Sequence, residues 1–374
     1  MTSEAALPDP KSQMRSIIQR IATGPELSKD ISFDEARDGM RTILDGRVDP
    51  VQAAIFLIAL RMKRETSDEN CGVLQALLDV AEHVTADVDE VLDIADPYDG
   101  YTRGLPVSPF LPAVMAACGV PSISHGAESI GPKYGATHRK VLRAAGLPVD
   151  LTAQEAAQRL ADPDCGWAYV DQRRFCAPLH DLVPLRTLIV KRPCITTVEV
   201  LIKPVSGRKR TTLMTGYVHK PYPPIYTMLA RLAGYHSAMI VRGVEGGVIP
   251  SLQQPAKIFH YRDDGHDEEW RIEPSMADIN DAPHRAPPLP ETLPEVAASD
   301  EIATTTDADA VAAAAAEAGV AALQGELGPV RDGLIYAGAL ALTHLQRFNS
   351  VSEAASQIRE VLDKGDAYSR LGLR

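Results

Sequence analysis

From Val91 onward the chain alternates short β-rich runs with helical ones, and no other feature narrows its fold so far. VLDIAD, GVPSISHG, GWAYVD, TTLMTGYV and SAMIVRG read as strands, whereas PFLPAVMAACG, AAQRLAD and PIYTMLARLAGY read as helices, with Gly- and Pro-rich loops between them. Strands joined through helices make right-handed crossovers, so they build a mostly parallel sheet flanked by helices. Ligands of such sheets bind at the carboxyl ends of the strands. The loops after Ile94, Ile123, Val170, Val218 and Val241 are therefore the places to look for a site.

Residues 12–87 carry a helical period instead. Ser32 with Glu35 and Thr66 with Glu69 each have capping-box spacing, in which two side chains satisfy amides left free by a first helical turn. Ile43, Leu44, Val48, Val51, Ala54, Ile55, Ile58, Leu74, Leu77 and Leu78 are the expected core of this helical part, and the apolar run 51–60 is read as a buried helix. The fold expected is thus α/β, a small N-terminal helical domain plus a larger α/β domain over 88–374, preceded by a flexible N-terminus over 1–11. Residues 282–310 are rich in Pro and acidic residues and poor in large apolar ones, so they are expected to form a disordered insertion.

Composition excludes several classes of function. A net charge of -12 and a pI near 5.3 are wrong for a surface that attracts nucleic acid everywhere, although a local basic patch is compatible with them. Five scattered cysteines without CxxC spacing are expected to be free thiols in a reducing compartment. The opening MTSEAALPDPKSQMRS lacks the pattern of a secretory leader, and no run of about 18 apolar residues occurs. A cytoplasmic protein without membrane contact is expected.

The run SFDEARDGMRTILDGRVDPVQAAIFLIALRMKRETSDENCG resembles the helical domain of the anthranilate phosphoribosyltransferase family, in its Gln-Ala-Ala before the apolar helix and its Leu-Arg-x-Lys-x-Glu-Thr after it. AACGVPSISHG, DLVPLR, TGYVHKPYPPIYTMLARLAGY and GPVRDGLIYAGALAL continue the resemblance, which is closest to the family's paralogues with altered motifs. The resemblance implies a helical domain completed by part of 176–205, an active site in the cleft between the domains, and a homodimer formed through the helical domain. It also implies transfer of a (phospho)ribosyl group from a pyrophosphorylated sugar, bound with Mg2+, to an aromatic or amine acceptor.

Carried over residue by residue, the family's Gly-Thr-Gly-Gly-Asp-Gly phosphate loop becomes ADPYDG, keeping Asp99 and Gly100. Its Asn-Ile-Ser-Thr becomes PVSP, keeping the hydroxyl of Ser108, and its Lys-His-Gly-Asn-Arg becomes SHGAE, keeping His125 and Gly126. Lys133, Arg139 and Lys140 in the basic segment GPKYGATHRK are candidates to replace the lost cations. Arg186 matches an arginine near the acceptor, with a helix-packing salt bridge as its alternative role. The acidic pair that carries magnesium becomes Gly246 and Gly247, which leaves Glu245 as the candidate metal ligand. A second reading is a non-catalytic dimer that binds nucleic acid through Lys203, Arg208, Lys209 and Arg210 of KPVSGRKR, with Lys191 and Arg192 among the nearby cations. A third is the authentic enzyme of tryptophan biosynthesis.

Overall fold

The computed structural model describes residues 9–24, 26–297 and 305–373. Helices α1 (Pro10–Ile21), α2 (Phe33–Leu44), α3 (Pro50–Lys63) and α4 (Ser67–Leu78) come first. Of the flexible N-terminus expected over 1–11, residues 1–8 lie outside the described residues, and Pro10 already opens α1 with Asp9 as its cap. Both expected capping boxes are present, Ser32 with Glu35 on α2 and Thr66 with Glu69 on α4.

The packing of α3 corrects the expected core. It buries Ala53, Phe56, Leu57 and Leu60, whereas Val51 is 65% exposed and Ala54, Ile55 and Ile58 are only half-buried. A helix that is apolar all round offers two faces, and its period does not say which of them the domain covers. The helix Val183–Ile189 lies against α3, and the helix Ile195–Val198 lies against α4.

The strands are β1 (Val84–Thr85), β2 (Glu90–Ala95), β3 (Ser122–Gly126), β4 (Trp167–Asp171), β5 (Val205–Ser206), β6 (Arg210–Gly216), β7 (Ser237–Val241), β8 (Ala256–Arg262) and β9 (Glu268–Ile272). The seven-stranded sheet runs β4-β3-β2-β6-β7-β8-β9, parallel through β7 and antiparallel beyond it. All five strands expected from the sequence form its parallel part. The β8–β9 hairpin was not expected, because Glu268–Ile272 exposes most of its side chains and lacks an apolar alternation. Strands β1 and β5 pair in parallel, so the two chain crossings between helical part and sheet lie side by side.

Two cores cover the two faces of the sheet. One packs Phe110, Met115, Trp167 and Tyr336 under the C-terminal helices, and the other joins the sheet to Phe56, Leu60 and Leu74 of the helical part. Much of the segment 282–310 differs from the disorder expected. The amide of Leu105 donates to Pro287 O at 3.0 Å, that of Leu252 donates to Arg285 O at 2.9 Å, and Leu289 and Leu293 pack on the core. Backbone pairing with the domain compensates for the small number of apolar side chains. Residues 298–304 lie outside the described residues, and the helix Ala308–Leu323 follows. Among the described residues, no helix is long and apolar enough to cross a membrane.

Candidate active site

A cavity of about 650 Å³ lies where the loops after β2, β3, β6 and β7 meet the end of α3 and residues 192–200. Four of the five loops singled out by the sheet pattern line it, while the loop after β4 does not. Its charged lining is Arg61, Asp99, Arg103, Lys133, Arg192 and Glu245.

Lys133 stands at the centre of this charge pattern. Its ammonium donates to Gly100 O at 2.7 Å and lies 3.5 Å from Asp99 Oδ1 and 3.7 Å from Glu245 Oε2. Arg192 donates to Asp99 Oδ2 through Nε at 3.1 Å and Nη2 at 2.6 Å. Glu245 accepts from the amides of Thr102 at 3.1 Å and Arg103 at 2.8 Å. Arg61, from the last turn of α3, donates to Tyr222 Oη at 2.7 Å on the opposite wall. Asp99, Lys133 and Glu245 are thus brought together as one group.

The other candidates take different places. Gly100, at φ 73°, lets two loops cross, because a Cβ there would lie 2.7 Å from the carbonyl carbon of Gly135. Ser108 is fully buried and donates to Asp96, which also accepts from Tyr101 Oη at 2.6 Å, His138 Nε2 at 3.0 Å and the Val248 amide at 2.9 Å. Burial by itself would push the Asp96 carboxyl up, but the hydrogen bonds from His138, Ser108 and Tyr101 outweigh it and hold the group below its ordinary value. Ser108 therefore serves a buried carboxylate and has no free hydroxyl for a phosphate.

His125 and Gly126 lie under Tyr98. Burial pushes the Tyr98 hydroxyl well above its usual range, so it stays protonated and donates to His125 Nδ1, while His125 Nε2 faces Asp93 Oδ1 at 3.1 Å. The Tyr98 ring covers Gly126, with its Cδ1 3.7 Å from where a Cβ would be. Arg186 takes its alternative role, holding Glu199 with both guanidinium ends at 2.7 and 2.8 Å, both residues being buried.

Arg139 and Lys140 do not replace the lost cations. They belong to the helix His138–Ala144, where Arg139 faces Glu128 at 2.8 Å and Asp171 at 3.1 Å, and Lys140 faces Asp309 at 2.7 Å. The basic residues flanking β5 also have partners within the fold. Arg208 pairs with Asp87 and Asp89, Lys209 with Asp89, Arg210 with Asp263, and Lys203 donates to Gly234 O. Burial also pushes the Lys203 ammonium down.

Glu245 as it stands does not fit a magnesium ion. Its oxygens are taken by two amides with Lys133 beside them, and among the described residues no group of three acidic, His or Cys side chains is placed to hold a metal. The neighbouring Gly247 cannot carry an acid either, since a Cβ there would fall 1.7 Å from Tyr101 Oη.

Sequence reasoning missed Arg61 and Arg103, and it placed Arg192 with nucleic acid instead of in this cavity. Arg61 stands inside the quoted LRMKRET motif and Arg103 three residues beyond Gly100, so both were in segments already under suspicion.

Two family models match the chain: the helical bundle domain of a glycosyl transferase family over residues 15–81, and the a/b domain of that family over 103–368. An anthranilate phosphoribosyltransferase of Sphingopyxis alaskensis is 28% identical over 355 residues, covering 95% of this chain and 98% of its own. An uncharacterized protein of Aquifex aeolicus is 29% identical over 230 residues, 62% of this chain and 68% of its own. In fold, the chain is similar to the anthranilate phosphoribosyltransferase of Thermus thermophilus, with a TM-score of 0.71, 20% identity, and coverage of 96% of this chain and 97% of that one. The Saccharomyces cerevisiae enzyme in complex with PRPP and Mg gives a TM-score of 0.73 at 16% identity, covering 96% of each chain.

Proposed function

The chain belongs to the glycosyl transferase family defined by that helical bundle and a/b domain, and from this premise we propose that it is a diverged pentosyltransferase. It transfers a (phospho)ribosyl group from a pyrophosphorylated sugar to an aromatic or amine acceptor. The observation that carries this reading is the group formed by Lys133, Asp99, Arg192 and Glu245 inside a cavity between helical part and sheet.

In the reaction the acceptor nitrogen attacks C1 of the sugar, the C1–O bond breaks, and its electron pair leaves with the pyrophosphate. The amine then loses a proton to water. Lys133 and Arg192 stabilise the charge that grows on the leaving group, and the carboxylates of Asp99 and Glu245 favour the positive character that develops at C1. Tyr222 and Tyr226 give the acceptor an aromatic wall. Lys133 supplies positive charge between the two carboxylates.

Tyr98 over Gly126 narrows the space for a pyrophosphate there, which supports a donor seated at Lys133. Arg208, Lys209 and Arg210, each paired with a carboxylate, do not favour the nucleic-acid reading. Calorimetry with phosphoribosyl pyrophosphate, with Mg2+ and with EDTA, is the test: binding in both solutions is expected, and no heat at millimolar donor in either would refute the reading. Growth of a tryptophan auxotroph lacking the anthranilate step, when supplied with this chain, would identify anthranilate as the acceptor and place it in tryptophan biosynthesis in the cytoplasm.

A homodimer through the helical part belongs to the same proposal. Val51 and Met62 on α3 are 65% and 73% exposed, and Leu188 and Val190 at the end of the neighbouring helix are 80% and 52% exposed. Exposed apolar side chains on these two contacting helices support an association surface here. The pair Val51→Asp and Met62→Asp is expected to turn a dimer into a monomer with unchanged helix content, read by sedimentation velocity and circular dichroism. A wild-type monomer at micromolar concentration would show the assignment to be wrong.

A further inference from the structure

Beside the first cavity lies a second of about 600 Å³, and it shares Arg103, Tyr217, Val218 and Glu245 with the first. We propose that this second cavity is a binding site for a phosphoryl group, taken by Arg103, Arg242 and Arg285. The three arginines come from three separate segments: the loop after β2, the loop after β7, and the part of 282–310 packed on the domain.

All three are exposed, and among the described residues none of their guanidinium groups has a hydrogen bond or ion pair. Arg143, Arg173, Arg208 and Arg210 find carboxylates, and what sets Arg103, Arg242 and Arg285 apart from other unpaired arginines is that all three line one concavity. Glu245 is the one carboxylate in the lining, and its oxygens are committed to the amides of Thr102 and Arg103. Three uncompensated guanidinium groups around one concavity raise the local potential and concentrate anions there.

The arginines are also held in place. The Arg103 amide donates to Glu245 Oε1 at 2.8 Å, the Arg242 amide donates to Lys257 O at 3.1 Å, and Arg285 O accepts from the Leu252 amide at 2.9 Å. Backbones fixed in this way spare a ligand the cost of ordering the loops. A phosphoryl group fits the set better than a monocarboxylate, since its charge approaches -2 and its oxygens accept several guanidinium forks. A volume of about 600 Å³ suits a small phosphate compound rather than a polymer.

The inference is tested apart from the transfer reading at Arg242 and Arg285, which line the second cavity and not the first. The full-length protein is titrated calorimetrically with inorganic phosphate and with ribose 5-phosphate, in chloride buffer without metal. Wild type is compared with Arg242→Gln, Arg285→Gln, the double variant, and Arg208→Gln as a control outside the cavity. Loss of about tenfold in affinity for each cavity arginine is expected, with the control unchanged and all melting temperatures close to wild type. Tighter binding of ribose 5-phosphate identifies a sugar phosphate as the ligand, and equal affinities identify free phosphate. The proposal is overturned if the double variant binds like wild type, or if neither probe gives heat at millimolar concentration. It is also overturned if a single-stranded oligonucleotide displaces both probes with steep salt dependence.

Discussion

Arg186→Ala is expected to destabilise the fold by about 3–5 kcal/mol, the range for a buried ion pair that loses one partner. The guanidinium holds both oxygens of Glu199, and the two side chains are 2% and 1% exposed. Without it, among the described residues, Glu199 keeps only the side-chain amide of Gln172 at 3.3 Å, too little for a charge away from water. Urea denaturation monitored by circular dichroism measures the loss. The double change Arg186→Met with Glu199→Leu removes both charges and is expected to recover most of it. A loss below about 1 kcal/mol in the single variant would mean that Glu199 finds water or another partner, as exposed pairs do. The result also separates two roles of this arginine, since an acceptor-binding residue would change affinity and leave stability alone.

Lys133→Gln is expected to weaken donor binding by about ten- to a hundredfold, equivalent to losing one hydrogen bond to a charged group, about 1.5–3 kcal/mol. The ammonium is anchored by Gly100 O and faces both Asp99 and Glu245, so its removal leaves two carboxylates without the cation between them. Repulsion of the donor's phosphates adds to the loss. A second consequence distinguishes this role from simple packing. With the ammonium gone, Mg2+ is expected to strengthen donor binding by the variant while leaving wild type almost unaffected, as read by calorimetry with and without EDTA. A variant that binds donor like wild type in both solutions would remove Lys133 from the site.

The parallel sheet and the helical part were legible because period and turn chemistry act locally. Ser32 and Thr66 cap the helices that their spacing announces, and the five apolar runs become the five parallel strands. The site was legible only as far as the loops that hold it. Asp99 and Lys133 meet in the cavity lining, but nothing in ADPYDG or GPKYGATHRK says that Gly100 O would anchor the lysine or that Arg139 would be spent on Asp171. Ser108 and Arg186 kept the residue types of a binding site while their partners Asp96 and Glu199 drew them into the interior. Pairings across many residues of sequence leave no local period to detect.

The altered loops are coupled by contact. Tyr101 Oη occupies the space that a side chain at 247 would need, and Asp96 binds both Tyr101 and the amide of Val248. The loop after β2 and the loop after β7 therefore form one unit, and restoring an acid at 247 alone would collide with the tyrosine.

The paired crossings β1 and β5 also bear on the birth of the protein. Helices α3 and α4 are covered by segments that arrive only after β2, β3 and β4 have been made. As the chain leaves the ribosome, its first four helices must wait with uncovered apolar surface until residues near 205 emerge. Helices α3 and α4 are thus made before the strands but covered only after them.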